Sequence, residues 1–134
     1  MTGVTGFVGK VLLEKFLREV PRIGKIYLLI RNKPKFTLEQ RLMNEIFGAK
    51  IFVPLFTERP ELLKVIKERI IPVSGDLVLG GLGIQPAMRK VLTSEVQVIL
   101  NSAASINFDD PIREALQINY FGAMRILDLA HECQ

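Results

Sequence analysis

Three glycines, Gly3, Gly6 and Gly9, stand three residues apart in TGVTGFVGK, just ahead of a segment with helical periodicity. Glycines so spaced can hold an anion without a charged side chain. The first permits a tight turn, the second lets backbone N–H groups approach a pyrophosphate with no Cβ in the way, and the third lets the following helix pack close to a sheet. The anion then rests at the helix N-terminus, where unpaired N–H groups and the helix dipole favour negative charge. Thr2 and Thr5 add hydroxyls as candidate donors. The same residues would also serve a plain glycine turn capping a helix.

Three further segments favour the anion reading. The apolar run KIYLLI ends in Arg31, 22 positions past Gly9, with Lys33 and Lys35 beyond. In dinucleotide folds an acid at this place takes the ribose 2′-hydroxyl, whereas an arginine accommodates a 2′-phosphate. NADPH is therefore favoured over NADH, the alternative being a solvated basic loop. The next apolar run ends in PVSGDL, where Asp76 could accept from the adenine amino group and Leu77 could pack on the ring. Asp76 would equally cap the following turn. The last run ends in VILNSAAS, whose small residues Asn101, Ser102, Ala103 and Ala104 would let ribose and phosphates pass close to the backbone or simply form a tight turn. Four signals stand at four consecutive element ends, in the order a dinucleotide needs.

The elements that position these residues alternate. Residues 7–19 read as an amphipathic helix with Phe7, Val8, Val11, Leu12, Phe16 and Val20 near a 3.6-residue period. Short apolar strands are expected at 25–30, 69–73 and 96–100, the first and last buried on both faces. Helices are expected at 37–47 with Thr37 as N-cap, and at 60–68, 85–92, 110–116 and 118–131, the last with Met124, Leu127 and Ala130 inward. IFVPLF, with Pro54 inside it, reads as irregular packed chain, and GDLVLGGLGI as loop. Alternation of strand and helix predicts an α/β fold: a partial Rossmann-like, doubly wound parallel sheet with helices on both faces.

Composition narrows the partners. The chain has 134 residues, a net charge of +4, one histidine and one cysteine. One domain or part of one is expected. The bases are dispersed among acids with no nucleic-acid motif, so no nucleic-acid partner is expected. Cys133 alone makes no internal disulfide, which fits a reducing compartment, and with His131 it assembles no metal cluster. No apolar run reaches the ~20 residues of a membrane-spanning helix.

Together, TGVTGFVGKVLLEKFLREVPRIGKIYLLIR, IIPVSGDL and VILNSAASINFDDPIREALQINYFGAMRILDLAHECQ resemble the N-terminal reductase domain of the alcohol-forming fatty acyl-CoA reductases, members of the extended short-chain dehydrogenase/reductase superfamily. The resemblance covers essentially the whole chain. It implies NADPH-dependent reduction of long-chain fatty acyl-CoA, through a bound aldehyde, to fatty alcohol and free CoA, feeding waxes and ether lipids. It also implies that Gly3, Thr5, Gly6, Phe7 and Val8, with Gly9 behind them, hold the pyrophosphate. Arg31 would hold the 2′-phosphate, Asp76 and Leu77 would frame adenine, and Ser102, Ala103 and Ala104 would line the cofactor's path. Asn119, in QINYFG, matches a helix asparagine that helps order the superfamily's active site; a polar bond within the helix bundle is its plainer role.

The superfamily's Tyr-x-x-x-Lys pair is not found in these residues. Tyr27 is followed four places on by Arg31, and Tyr120 by Met124. The resemblance places that pair further along. It also places a central strand ahead of the glycine loop. Residues 1–134 are thus expected to be a partial NADP-binding domain lacking its first strand and its catalytic part, inactive alone. By resemblance the location is intracellular, at peroxisomal or endoplasmic-reticulum membranes or in a plastid, with any membrane association through other regions. Two alternatives remain: a thioester reductase domain or other extended short-chain dehydrogenase/reductase, and a non-catalytic NADPH-binding or interaction module.

Overall fold

A computed structural model describes residues 1–133. Helix α1 (Phe7–Glu19) leads to strand β1 (Ile26–Ile30). Helix α2 (Leu38–Arg41) runs directly into a π-helical segment (Leu42–Phe47). A 3-10 turn (Lys50–Phe52) and helices α3 (Val53–Glu58) and α4 (Leu62–Arg69) lead to strand β2 (Ile70–Ser74). After a 3-10 turn (Gly80–Gly83) comes α5 (Pro86–Glu95). Helix α6 (Ile112–Leu116), a π segment (Gln117–Phe121) and α7 (Gly122–Glu132) complete the described chain.

β1 and β2 pair in parallel, Ile26 opposite Ile70 and Ile30 opposite Ser74. Side chains on a strand alternate between faces, and here each face has its own core. Ile26, Leu28 and Ile30 pack with Leu13, Leu17, Phe47, Phe52, Leu55 and Ile66. Tyr27 and Val73 pack with Leu77, Leu82, Leu92, Ile126 and Leu129. Helices therefore cover both faces of the sheet, the expected α/β arrangement.

Four expectations need correction. Residues 96–100 are not a ladder strand: among the described residues, the bond from Thr2 N to Leu100 O at 2.9 Å is the one backbone hydrogen bond this stretch makes to chain distant in sequence. A strand needs a flanking partner along its length. Between β1 and this stretch lies a groove of about 640 Å³, walled by Lys25, Ile26 and Tyr27 on one side and by Val96, Gln97 and Val98 on the other. Met1 closes one end, its amine donating to Tyr27 O at 2.7 Å and its carbonyl accepting from Leu29 N at 2.9 Å. IFVPLF is helical, because Pro54 falls in the first turn of α3, where no N–H partner is lost. α1 buries Leu13 and Leu17, while Phe7, Val8 and Val11 face outward. α7 buries Gly122, Ile126 and Leu129; Met124 and Leu127 are exposed. In both helices the buried stripe is rotated from the expected one, since a 3.6-residue period admits more than one apolar face.

Candidate functional site

Parallel pairing puts the C-terminal ends of β1 and β2 side by side, so Arg31 and Gly75–Leu77 emerge on one edge. The glycine loop and residues 102–105 close the same edge. The result is a cleft of about 520 Å³ lined by Gly3, Thr5, Gly6, Arg31, Asp76, Leu77, Ser102, Ala103 and Ala104. Four segments separated in sequence thus meet where strand order and loop chemistry led one to expect a ligand. Among the expected residues, Thr2, Phe7, Val8, Gly9, Asn101 and Asn119 do not line it.

Gly9 acts from beneath. A Cβ on Gly9 would lie 2.6 Å from Gly3 C and 2.7 Å from Val4 Cα, and nearer still to Gly3 O. Only glycine lets the loop lie on the first turn of α1. Gly3 has φ +70°, and a Cβ there would sit 2.6 Å from Ser102 Oγ and 2.7 Å from Ala103 N. Gly6 is the N-cap of α1 and offers no side-chain acceptor. Lys10 N bonds Gly6 O, so the N–H groups of Phe7, Val8 and Gly9 lie in the turn that has no intrahelical acceptor. Phe7 and Val8 therefore present backbone at the helix terminus while their side chains point to solvent.

Thr2 is not a ligand donor. It is buried, its Oγ1 donates to Asn101 Oδ1 and accepts from Ala103 N at 3.2 Å, and its carbonyl accepts from Ser102 Oγ at 2.9 Å. It pins the glycine loop to the 101–103 turn. Asp76 caps its own turn, Oδ1 accepting from Val78 N at 3.1 Å. Leu77 is buried against Gly122, and its carbonyl accepts from Arg125 at 2.8 Å. Asn119 sits in the π segment and clamps the backbone of Ser105: Oδ1 accepts from Ser105 N at 2.8 Å and Nδ2 donates to Ser105 O at 3.0 Å. Ser105 Oγ in turn donates to Asp110, whose other oxygen accepts from Asn107 at 2.6 Å.

Sequence reasoning missed Arg41, Ser105 and Asp110, all of which line the cleft. Arg41 is 4% exposed and donates to the carbonyl of Arg31 and to both oxygens of Glu45. Its signal was a charge on the apolar stripe of a helix, between Leu38 and Leu42, with an acid four places on. Hydrogen bonds from Arg41 and then Lys33 hold the Glu45 carboxyl down at about 2. Tyr27, by contrast, faces the groove and inner core; burial first, then its bond to Glu95, pushes its phenol upward. It lies outside the cleft lining and is poorly suited to give up a proton.

Residues 1–134 match an NAD-binding family model described as "Male sterility protein". Fatty acyl-CoA reductase 1 of Arabidopsis thaliana is 38% identical over 99% of this chain and 28% of its own length. Fatty acyl-CoA reductase 1 of Mus musculus is 34% identical over 98% of this chain and 25% of its own length. The chain thus spans about a quarter of the curated relatives it matches. Among solved structures, the terminal R domain from the myxalamid PKS-NRPS biosynthetic pathway superposes with a TM-score of 0.74 at 33% identity, over 96% of this chain and 30% of that one.

Proposed function

The chain belongs to the NAD-binding family described as "Male sterility protein", and from that premise we propose that it is the NADPH-binding portion of a fatty acyl-CoA reductase, which converts long-chain fatty acyl-CoA to fatty alcohol and CoA. The nicotinamide cofactor follows from the family. NADPH in particular rests on one observation: Arg31, exposed and with no acidic partner among the described residues, sits at the β1 end of the cleft. A guanidinium there matches a 2′-phosphate and leaves a 2′-hydroxyl without an acceptor.

The residues present fit the dinucleotide. The glycine loop and the uncapped start of α1 would hold the pyrophosphate, Arg31 the 2′-phosphate, and Asp76 with Leu77 the adenine. Asp76 keeps one oxygen on its own turn, so its role at adenine is shared with backbone. Ser102, Ala103 and Ala104 would line the path of the second ribose, and Asn119 acts through Ser105. When bound, the reduced nicotinamide supplies hydride. The acyl-CoA assignment draws on the relatives' names and on apolar Ile106 in the cleft wall, with Phe108 fully exposed beside it. Membrane association and the compartment belong to the same proposal through the relatives' family alone.

Titration of the chain with NADPH and NADH tests the cofactor. NADPH is expected to bind more tightly, and Arg31→Ala to weaken it by about 10- to 100-fold, the worth of one charge-assisted hydrogen bond, leaving NADH unchanged. Equal affinities would refute the NADPH reading. For the substrate, residues 1–134 would replace the matching quarter of the Arabidopsis relative. NADPH-dependent formation of hexadecanol from palmitoyl-CoA is expected; a chimera that binds NADPH yet makes no alcohol counts against the assignment.

A second reading is favoured by the 33% identity to the R domain: a reductase of thioesters carried on a protein-bound arm. Turnover of a carrier-bound acyl thioester, with none of palmitoyl-CoA, would select it.

A further inference from the structure

The basic segment after β1 is folded back on α2. Phe36 N donates to Lys33 O at 3.2 Å, making a tight turn. Thr37 then starts α2 with a reciprocal capping box, Gln40 N on Thr37 Oγ1 at 3.1 Å and Thr37 N on Gln40 Oε1 at 2.9 Å. Glu45, one turn on, gathers two of the cations: Arg41 at 2.6 Å and Lys33 at 2.9 Å. Arg41 also donates to the carbonyl of Arg31. Arg41 and Lys33 are therefore already spoken for. Arg31 forms no ion pair among the described residues. Its backbone, however, is held by Arg41.

We propose that Arg41 and Glu45 are a positioning pair for Arg31: Glu45 orients the Arg41 guanidinium, and Arg41 fixes the Arg31 backbone so that the Arg31 side chain meets a ribose 2′-phosphate. This rests on the NADPH reading above. Arg41 is buried, and its Nε, Nη1 and Nη2 each give one hydrogen bond to Glu45 or to the Arg31 carbonyl, which ties it to the Arg31 backbone. Lys33 is a tether of the loop and not a phosphate contact. The guanidinium fork holds the Glu45 carboxylate with two bonds while donating to the Arg31 carbonyl, a planar bidentate geometry that an ammonium does not reproduce.

The test is a double-mutant cycle read by binding. NADPH and NADH are titrated into the wild-type chain, Arg31→Ala, Arg41→Lys and the double variant, with thermal melts of each. Arg41→Lys is expected to weaken NADPH by about tenfold through loss of the bidentate geometry, leaving NADH unchanged. The double variant is expected to bind NADPH no worse than Arg31→Ala alone, because residues acting as a unit are non-additive. Glu45→Gln, which keeps the shape and weakens the pair, should give a smaller loss of the same kind. Additive losses in the double variant would overturn the proposal by giving Arg41 its own contact with the ligand. Equal weakening of NADPH and NADH by Arg41→Lys would overturn it by reducing Arg41 to a folding residue. A wild-type chain without preference for NADPH would refute the underlying reading; a preference left undiminished by Arg41→Lys would sink this inference alone.

Discussion

At the scale of single residues, Gly9 decides whether the glycine loop exists at all. A methyl group there meets backbone of Gly3 and Val4 on a side with no flexible chain to yield. Gly9→Ala is expected to destabilise the chain by about 2–3 kcal/mol, the usual scale of overpacking against rigid surroundings, and to abolish NADPH binding. A melt unchanged from wild type, with normal affinity, would show that the loop reshapes freely. That Gly3, Gly6 and Arg31 would share one cleft was legible in the sequence, because a residue type, a spacing and an adjacent element suffice to place them. Arg41 was not, because its meaning lies in what it touches after folding, a carbonyl ten residues back in the chain. Thr2 was misjudged for the same reason, since its hydroxyl partners lie near residue 100.

At the scale of elements, Thr37 shows what a cap can hold. Its hydroxyl and the Gln40 side chain close a box at the start of α2, just after the turn carrying Lys33 and Lys35. Thr37→Ala is expected to cost about 1 kcal/mol, as N-cap losses do, and Thr37→Ser to restore most of it; matched urea midpoints of wild type and both variants would contradict that role. This cap was readable from the sequence, as were both ladder strands. Helix faces were less so, because Phe7, Val8, Met124 and Leu127 have the right type but sit one step around from the buried stripe. Period alone cannot choose between neighbouring apolar faces when a helix carries apolar residues on both. Residues 96–100 have a strand's composition, but a ladder is a property of two segments, and only Leu100 finds one. The π segments at 42–47 and 117–121 have no sequence signal of their own; both occur where a helix must carry a side chain, Glu45 or Asn119, to a fixed point beside the cleft.

For the whole molecule, the sheet sits between two separate cores, and Met1 lies where the sheet meets the groove. Hydrogen bonds from Arg41 and then Lys33 hold the Glu45 carboxyl at about 2, below its ordinary value of 4.5. Its stabilising share is therefore present above pH 4.5 and is lost as pH falls through about 2. Acid melts of wild type and Glu45→Gln should show the steeper loss in wild type; equal slopes would assign the acid sensitivity to other carboxylates. The Ser102–Thr2 hydrogen bond spans 100 residues of chain, so residues 1–6 are synthesised well before the turn that pins them. The helices can form from local contacts while the glycine loop waits, since long-range pairings come late. A nascent chain that stops short of residue 102 therefore has every glycine of the loop and no closed cleft to hold a nucleotide.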